Sequence, residues 1–138
     1  MPVDDDELMK VALEAQARCY APYSSFRVGA AVLADGEVYL GANVENASYG
    51  LAVCAERAAV VRAVYEGIRQ IDAIAVASDI SPPAAPCGMC LQTLAEFSTD
   101  PVQTRVLLGN AAGERRTYTL ADLLPHGFTP SDLGRRGG

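Results

Sequence analysis

What most limits the fold of this chain is that two short stretches, far apart in sequence, have to meet. The first is Cys54-Ala55-Glu56-Arg57 and the second is Pro86-Cys87-Gly88-Met89-Cys90. Together they hold three thiols, with a carboxylic acid two residues after the first of them. Three thiolates fill three corners of a zinc tetrahedron and leave the fourth open, which is the layout of a catalytic zinc rather than a closed structural one. Glu56, as an acid that is not a ligand, is then free to carry protons between water and a substrate.

Other readings of the cysteines fit less well. Four cysteines allow two disulfides, but a chain of 138 residues can bury an adequate core without them. A dithiol redox pair at Cys87 and Cys90 leaves Cys54-Ala55-Glu56 unexplained. A structural zinc knuckle wants a fourth ligand, and His126, the only histidine, lies in a different context. Cys19 has no partner at ligand spacing and reads as a small buried hydrophobe.

Charge and composition narrow the partners. The formal charge of -6 argues against a polyanionic partner such as nucleic acid, which calls for clustered Lys and Arg. A small neutral or cationic ligand suits this surface better. No apolar run approaches the ~18 residues of a membrane span, and Asp4-Asp5-Asp6-Glu7 is the opposite of a basic signal-peptide start. A cytoplasmic protein is expected, with residues 1–138 as one domain and a frayed tail from about 134 to 138.

Along the chain, Leu8, Val11, Ala12 and Ala15 repeat at helical spacing, and Cys19 continues the stripe. Phe26 to Ala34 and Glu37 to Ala42 read as strands joined by the hairpin signal Asp35-Gly36. Asn43-Val44-Glu45-Asn46 then sits at a strand end, either facing a ligand or forming a solvated loop. A helix begins at Cys54, with Val61, Val64, Tyr65 and Ile68 along one face. Its small apolar residues elsewhere leave few polar positions, so a neighbouring subunit is a reasonable second cover. Ile71 to Ser78 reads as a buried strand, and Gly88 to Phe97 as a short helix after a proline-rich connection. Val102 to Gly109 and Arg115 to Thr119 read as strands, and Ala121 to Leu124 as a last short helix. The expected class is α/β, with a mixed five-stranded sheet covered by helices.

These motifs together resemble the homotetrameric zinc-dependent cytidine deaminases. The resemblance runs through Tyr20-Ala21-Pro22-Tyr23-Ser24, Phe26-Arg27-Val28-Gly29-Ala30-Ala31, Asn43-Val44-Glu45-Asn46-Ala47-Ser48-Tyr49-Gly50 and Cys54-Ala55-Glu56-Arg57. It continues through Pro86-Cys87-Gly88-Met89-Cys90 to Leu123-Leu124-Pro125 and Phe128, and so covers nearly the whole chain. It implies the three-layer α/β/α cytidine deaminase-like fold, one Zn²⁺ per chain, and deamination of cytidine and 2′-deoxycytidine in pyrimidine salvage.

The resemblance also implies roles. Cys54, Cys87 and Cys90 would bind zinc, and Glu56 would move protons from water to N3 and then to the departing amine. Arg57, otherwise a solvated helix charge, would donate hydrogen bonds to the thiolates. The Ala55 N–H would bind the base carbonyl, carbonyls near Pro86 the leaving amine, and Phe26 would pack on the pyrimidine. Asn43 and Glu45 would take a ribose hydroxyl; two residues apart on an extended segment, they point the same way. Ala47, Tyr49 and Phe128 would complete a neighbouring subunit's pocket. One residue departs from the family pattern: Leu91 stands where an arginine usually follows the last cysteine. A blasticidin S-type deaminase on the same scaffold, a non-catalytic zinc-stabilised interaction domain and a polynucleotide-editing deaminase are the competing readings.

Overall fold

The computed structural model describes residues 3–134. Its elements in chain order are α1 (Asp5–Gln16), β1 (Val28–Ala34), β2 (Glu37–Ala42), α2 (Ala55–Tyr65), β3 (Ala73–Ser78), α3 (Gly88–Glu96), β4 (Arg105–Gly109), β5 (Arg115–Thr119) and α4 (Leu120–Leu123). Short 3₁₀ turns lie at Tyr49–Leu51 and Pro130–Leu133. The strands form one sheet in the order β2-β1-β3-β4-β5. Only β3 and β4 run parallel; the other neighbours are antiparallel, so the sheet is mixed as expected.

Side-chain alternation divides the apolar residues between two faces. Ala30, Val32, Ile74, Val76, Val106 and Leu108 face α2 and α3, where Ala59, Val60, Ala63 and Leu94 complete the larger core. Ala31, Ala73, Ala75, Ala77 and Leu107 face α1 and meet Leu8, Met9 and Ala12. All six residues of β3 are buried, as they must be in a strand covered on both sides. The architecture is therefore three-layer α/β/α, and the parallel β3–α3–β4 crossover puts the start of α3 beyond the C-terminal end of β3.

Helices approach this sheet closely because glycine removes the obstruction. A Cβ at Gly29 would lie 2.1 Å from the Ala12 carbonyl oxygen of α1. One at Gly41 would lie 2.4 Å from the Ala59 nitrogen and 2.6 Å from the Ala55 oxygen of α2. Both collisions are with helix backbone, which cannot rotate away.

Several element boundaries differ from the sequence reading. Helix α1 ends at Gln16, because the chain turns out to bridge Tyr20 to Val44; Cys19 is thus off the stripe and only half-buried. β1 begins at Val28, since Phe26 and Arg27 are held by side chains of Asn43 and Asp79 rather than by a neighbouring strand. β3 begins at Ala73 although Ile71 is buried, its N–H going to the Phe97 carbonyl instead of the sheet. Val102 and Gln103 form a turn closed by the Asp100 carbonyl, which delays β4 to Arg105. α3 stops at Glu96, and α4 starts and stops one residue early, capped by Thr119 and Asp122. On α2 the buried face is Ala59, Val60 and Ala63, while Val61 and Tyr65 are 64% and 86% exposed. Small residues win the inner face because the helix lies so near β2. The tail at 135–138 lies outside the described residues. Among those described, no helix is long and apolar enough to cross a membrane.

Gly41→Ala should therefore destabilise the chain by about 1–3 kcal/mol through overpacking, lowering the melting temperature by at least about 4 °C. Gly50→Ala, whose Cβ would meet nothing within 4 Å, is the control and should shift it little. Thermal and urea unfolding of both variants would check this.

Candidate active site

The N-termini of α2 and α3 converge past the end of β3, and each is capped by a cysteine, Cys54 and Cys87. Cys90, one turn into α3, is fully buried beneath them. The three sulfurs lie within 4.8 Å of one another, and those of Cys87 and Cys90 are 3.4 Å apart. Tetrahedral zinc with Zn–S near 2.3 Å separates its sulfurs by about 3.8 Å, so this donor set fits the ion. All four cysteines are free thiols, which removes the disulfide reading.

The local electrostatics favour thiolate at Cys87 and oppose it at Cys90. Burial would raise the Cys87 thiol, but hydrogen bonds from the Cys90 and Met89 backbone at the helix start, and from the other thiols, bring it below the ordinary cysteine range. Cys90 is pushed up by burial first and by the Glu56 charge second. Arg57 lies against the thiols: its Nη2 donates to Cys54 Sγ at 3.7 Å and to the Ala52 carbonyl at 3.2 Å. The hydrogen bond to Cys54 raises its pKa. Arg57 is thus a partner of the cluster and not a solvated helix charge. Leu91 is buried in the larger core, so it offers no second cation.

Glu56 is the second residue of α2 and only 6% exposed. Burial raises its pKa, against the opposing pull of its own backbone N–H, Cys90 and Arg57. It lines a cavity of about 290 Å³ together with Phe26, Asn43, Glu45, Cys54, Ala55 and Cys87. Also lining it, Glu45 accepts hydrogen bonds from the Tyr23 and Ser24 N–H groups, at 2.9 and 3.1 Å, and from the Ser24 hydroxyl. The Ser24 hydroxyl leads the interactions that hold its carboxyl below the usual range. Asn43 bonds both ends of its amide to the start of β1, accepting from Val28 N–H and donating to the Phe26 carbonyl.

The family described as the cytidine and deoxycytidylate deaminase zinc-binding region matches residues 2–106. The chain belongs to this family. It is 48% identical over 132 residues to the cytidine deaminase of Halalkalibacterium halodurans, covering 95% of this chain and 98% of that protein. It is 41% identical over 134 residues to that of Mycobacterium tuberculosis, covering 96% of each. Among solved structures, the cytidine deaminase from Burkholderia pseudomallei superposes with a TM-score of 0.85 at 44% identity, over 91% of this chain and 99% of that one. Zinc is the metal of the family, and the three-cysteine cluster could hold such an ion.

The structure brings most of the expected site residues of this deaminase-family chain to one cavity. Pro86 is buried just behind it, while its neighbours Ala84 and Ala85 form the wall. Tyr49 lies over an adjoining hollow that shares Glu45 and Ala52. Ala47 and Phe128 line neither hollow, and the Phe128 backbone instead pairs with the side-chain amide of Gln92, midway along α3. Sequence reading gave no role to Ser78, whose hydroxyl accepts the Ala84 N–H at 3.2 Å and shapes that wall. Nor did it find Asp79, which ties Arg27 and Gln16 together beneath Phe26. Neither residue belongs to a spacing pattern; only their contacts reveal them.

Metal analysis of the purified chain should find one zinc per chain, lost in Cys87→Ala and kept in Cys19→Ala. Equal loss from the Cys19 variant would overturn the ligand assignment.

Proposed function

We propose that this chain is a cytidine deaminase, hydrolysing cytidine and 2′-deoxycytidine to uridine and 2′-deoxyuridine with release of ammonia. The observation that carries the reading is one cavity lined both by a buried glutamic acid beside the thiol cluster and by a second, hydrogen-bonded carboxylate. Cys54, Cys87 and Cys90 would hold the zinc, which when bound would supply the Lewis acidity that makes water a nucleophile near neutral pH. Glu56 takes a proton from the attacking water and delivers it to N3 of the pyrimidine. As the water oxygen becomes the new carbonyl at C4, Glu56 carries the second proton to the departing amine. One water proton thus ends on uridine N3 and the other leaves with ammonia. A group that is base and then acid works best with a pKa near the operating pH, and burial moves Glu56 in that direction.

The remaining residues hold the nucleoside. Ala55 opens α2, so its N–H has no partner within the helix and is free for the base carbonyl. Carbonyls of the Ala84–Pro86 segment take the leaving amine, and half-buried Phe26 covers the ring. Glu45 accepts the proton of a sugar hydroxyl. Asn43 retains one uncommitted amide N–H with which to donate to the same oxygen.

The proposed active form is a homotetramer of single-domain chains, residues 1–138, acting in cytoplasmic pyrimidine salvage without nucleic-acid or membrane partners. Tyr49, Phe128 and Ala47 serve neighbouring pockets. Their support is exposure: Tyr49 is 77% and Phe128 56% accessible, alongside the outward apolar side of α2.

Ultraviolet detection of uridine formed from cytidine by zinc-loaded protein tests the activity directly. Glu56→Gln should lower kcat by at least about 10²–10⁴-fold with zinc content unchanged; near-normal turnover would assign the proton transfers to another group. Glu45→Ala should depress cytidine turnover much more than that of free cytosine. The ratio between the two substrates should shrink by more than about tenfold. An unchanged ratio would remove Glu45 from sugar recognition and favour the blasticidin-type alternative.

A further inference from the structure

We propose that Ser24 is a positioning residue of the sugar subsite: its hydroxyl aims and fixes the Glu45 carboxylate that reads the nucleoside's sugar. This rests on the reading of Glu45 as the sugar-recognising group. Glu45 lies on the short segment after β2, beyond the sheet ladder, itself half-buried between exposed Val44 and Asn46. Backbone pairing fixes its main chain, the Glu45 N–H going to the Tyr20 carbonyl at 2.8 Å, but leaves the long side chain free to rotate. What limits that rotation is the loop opposite. The Tyr23 and Ser24 N–H groups both donate to Oε1, at 2.9 and 3.1 Å. Only the Ser24 hydroxyl reaches Oε2, so it decides the orientation of the carboxylate plane.

The direction of the Ser24 proton is itself determined. The Phe26 N–H donates to Ser24 Oγ at 2.9 Å, which occupies an oxygen lone pair and leaves the hydroxyl proton for Glu45. This geometry requires a sharp bend, and Ser25 makes it with φ of 60°, a left-handed conformation uncommon for a residue other than glycine. Through two bonds the hydroxyl therefore links the residue that reads the sugar to the backbone of Phe26, which covers the base. A carboxylate has room for about four donors, so with these three in place it keeps acceptor capacity for one substrate hydroxyl, in a defined direction.

The alternative is that Ser24 only stabilises its loop, and a double-mutant cycle separates the two. Kinetics with cytidine would be measured for Ser24→Ala, Glu45→Ala and the double variant, with zinc content and melting temperature as controls. Ser24→Ala should lower kcat/KM for cytidine by about three- to tenfold. In the Glu45→Ala background the same change should cost less than about twofold. Ser24→Thr, which keeps the hydroxyl, should recover most of the activity. Equal loss in both backgrounds, or loss in Ser24→Thr as large as in Ser24→Ala, would overturn the positioning role while leaving Glu45 in place. If Glu45→Ala itself leaves cytidine kinetics unchanged, the sugar-reading assignment fails and the Ser24 role falls with it.

Discussion

The site depends on holding two helix N-termini against the end of one buried strand. Cys54 and Glu56 ride on α2, and Cys87 and Cys90 on α3, so a shift between these helices changes the distance between sulfurs directly. The contact that sets α2 is its approach to β2 at Gly41, where even one methyl group would collide with helix backbone. The contact that sets α3 is the crossover from β3 to β4, whose parallel pairing fixes where the connection must return. Helix starts are also the right ends to bring together. Their free N–H groups and positive dipole ends favour the anionic sulfurs on which metal binding depends.

Three thiolates give zinc a formal charge of -1, which weakens its pull on water relative to neutral ligands. The surrounding protein has to draw charge from the sulfurs. The Met89 and Cys90 backbone does so at Cys87, and Arg57 does so at Cys54. With Leu91 packed into the core, Arg57 is the cation at this cluster, and its chain is anchored to the Ala52 carbonyl as well. That second anchor holds the guanidinium near the sulfur without leaving its position to the sulfur alone.

The chemical residues were legible in the sequence because zinc and proton transfer demand particular side chains at particular spacings. Cys54, Glu56, Cys87 and Cys90 could be read that way, and the fold class followed from strand and helix periodicity. What could not be read was the supporting geometry. Of the face that hydrophobicity assigns to α2, Val64 and Ile68 do pack on the core, but Val61 and Tyr65 point outward and Ala59 and Ala63 take the innermost positions, because closeness to the sheet favours small volume. Phe26 and Arg27 have strand-like composition, yet side-chain bonds to Asn43 and Asp79 hold them outside the ladder. Ser24 and Asp79 act through contacts across long sequence separations, and Ser78 through a contact with the loop that follows it. Residues with such roles carry no local signature.

Two glutamates lining one cavity show how environment suits a single residue type to the two tasks proposed for them. Glu45 is solvent-facing and receives three hydrogen bonds, so its ionised form is stabilised and it can serve only as an acceptor. Glu56 is enclosed, and loss of water raises its pKa toward the range where it can both take and give a proton. Exchanging the environments would disable both functions. A buried Glu45 would hold a proton and lose its preference for a donor hydroxyl, and a solvated Glu56 would be too weak a base to receive one. Burial and hydrogen bonding therefore separate the recognition and proton-transfer roles proposed for these two residues, with the fold supplying each carboxyl group's surroundings.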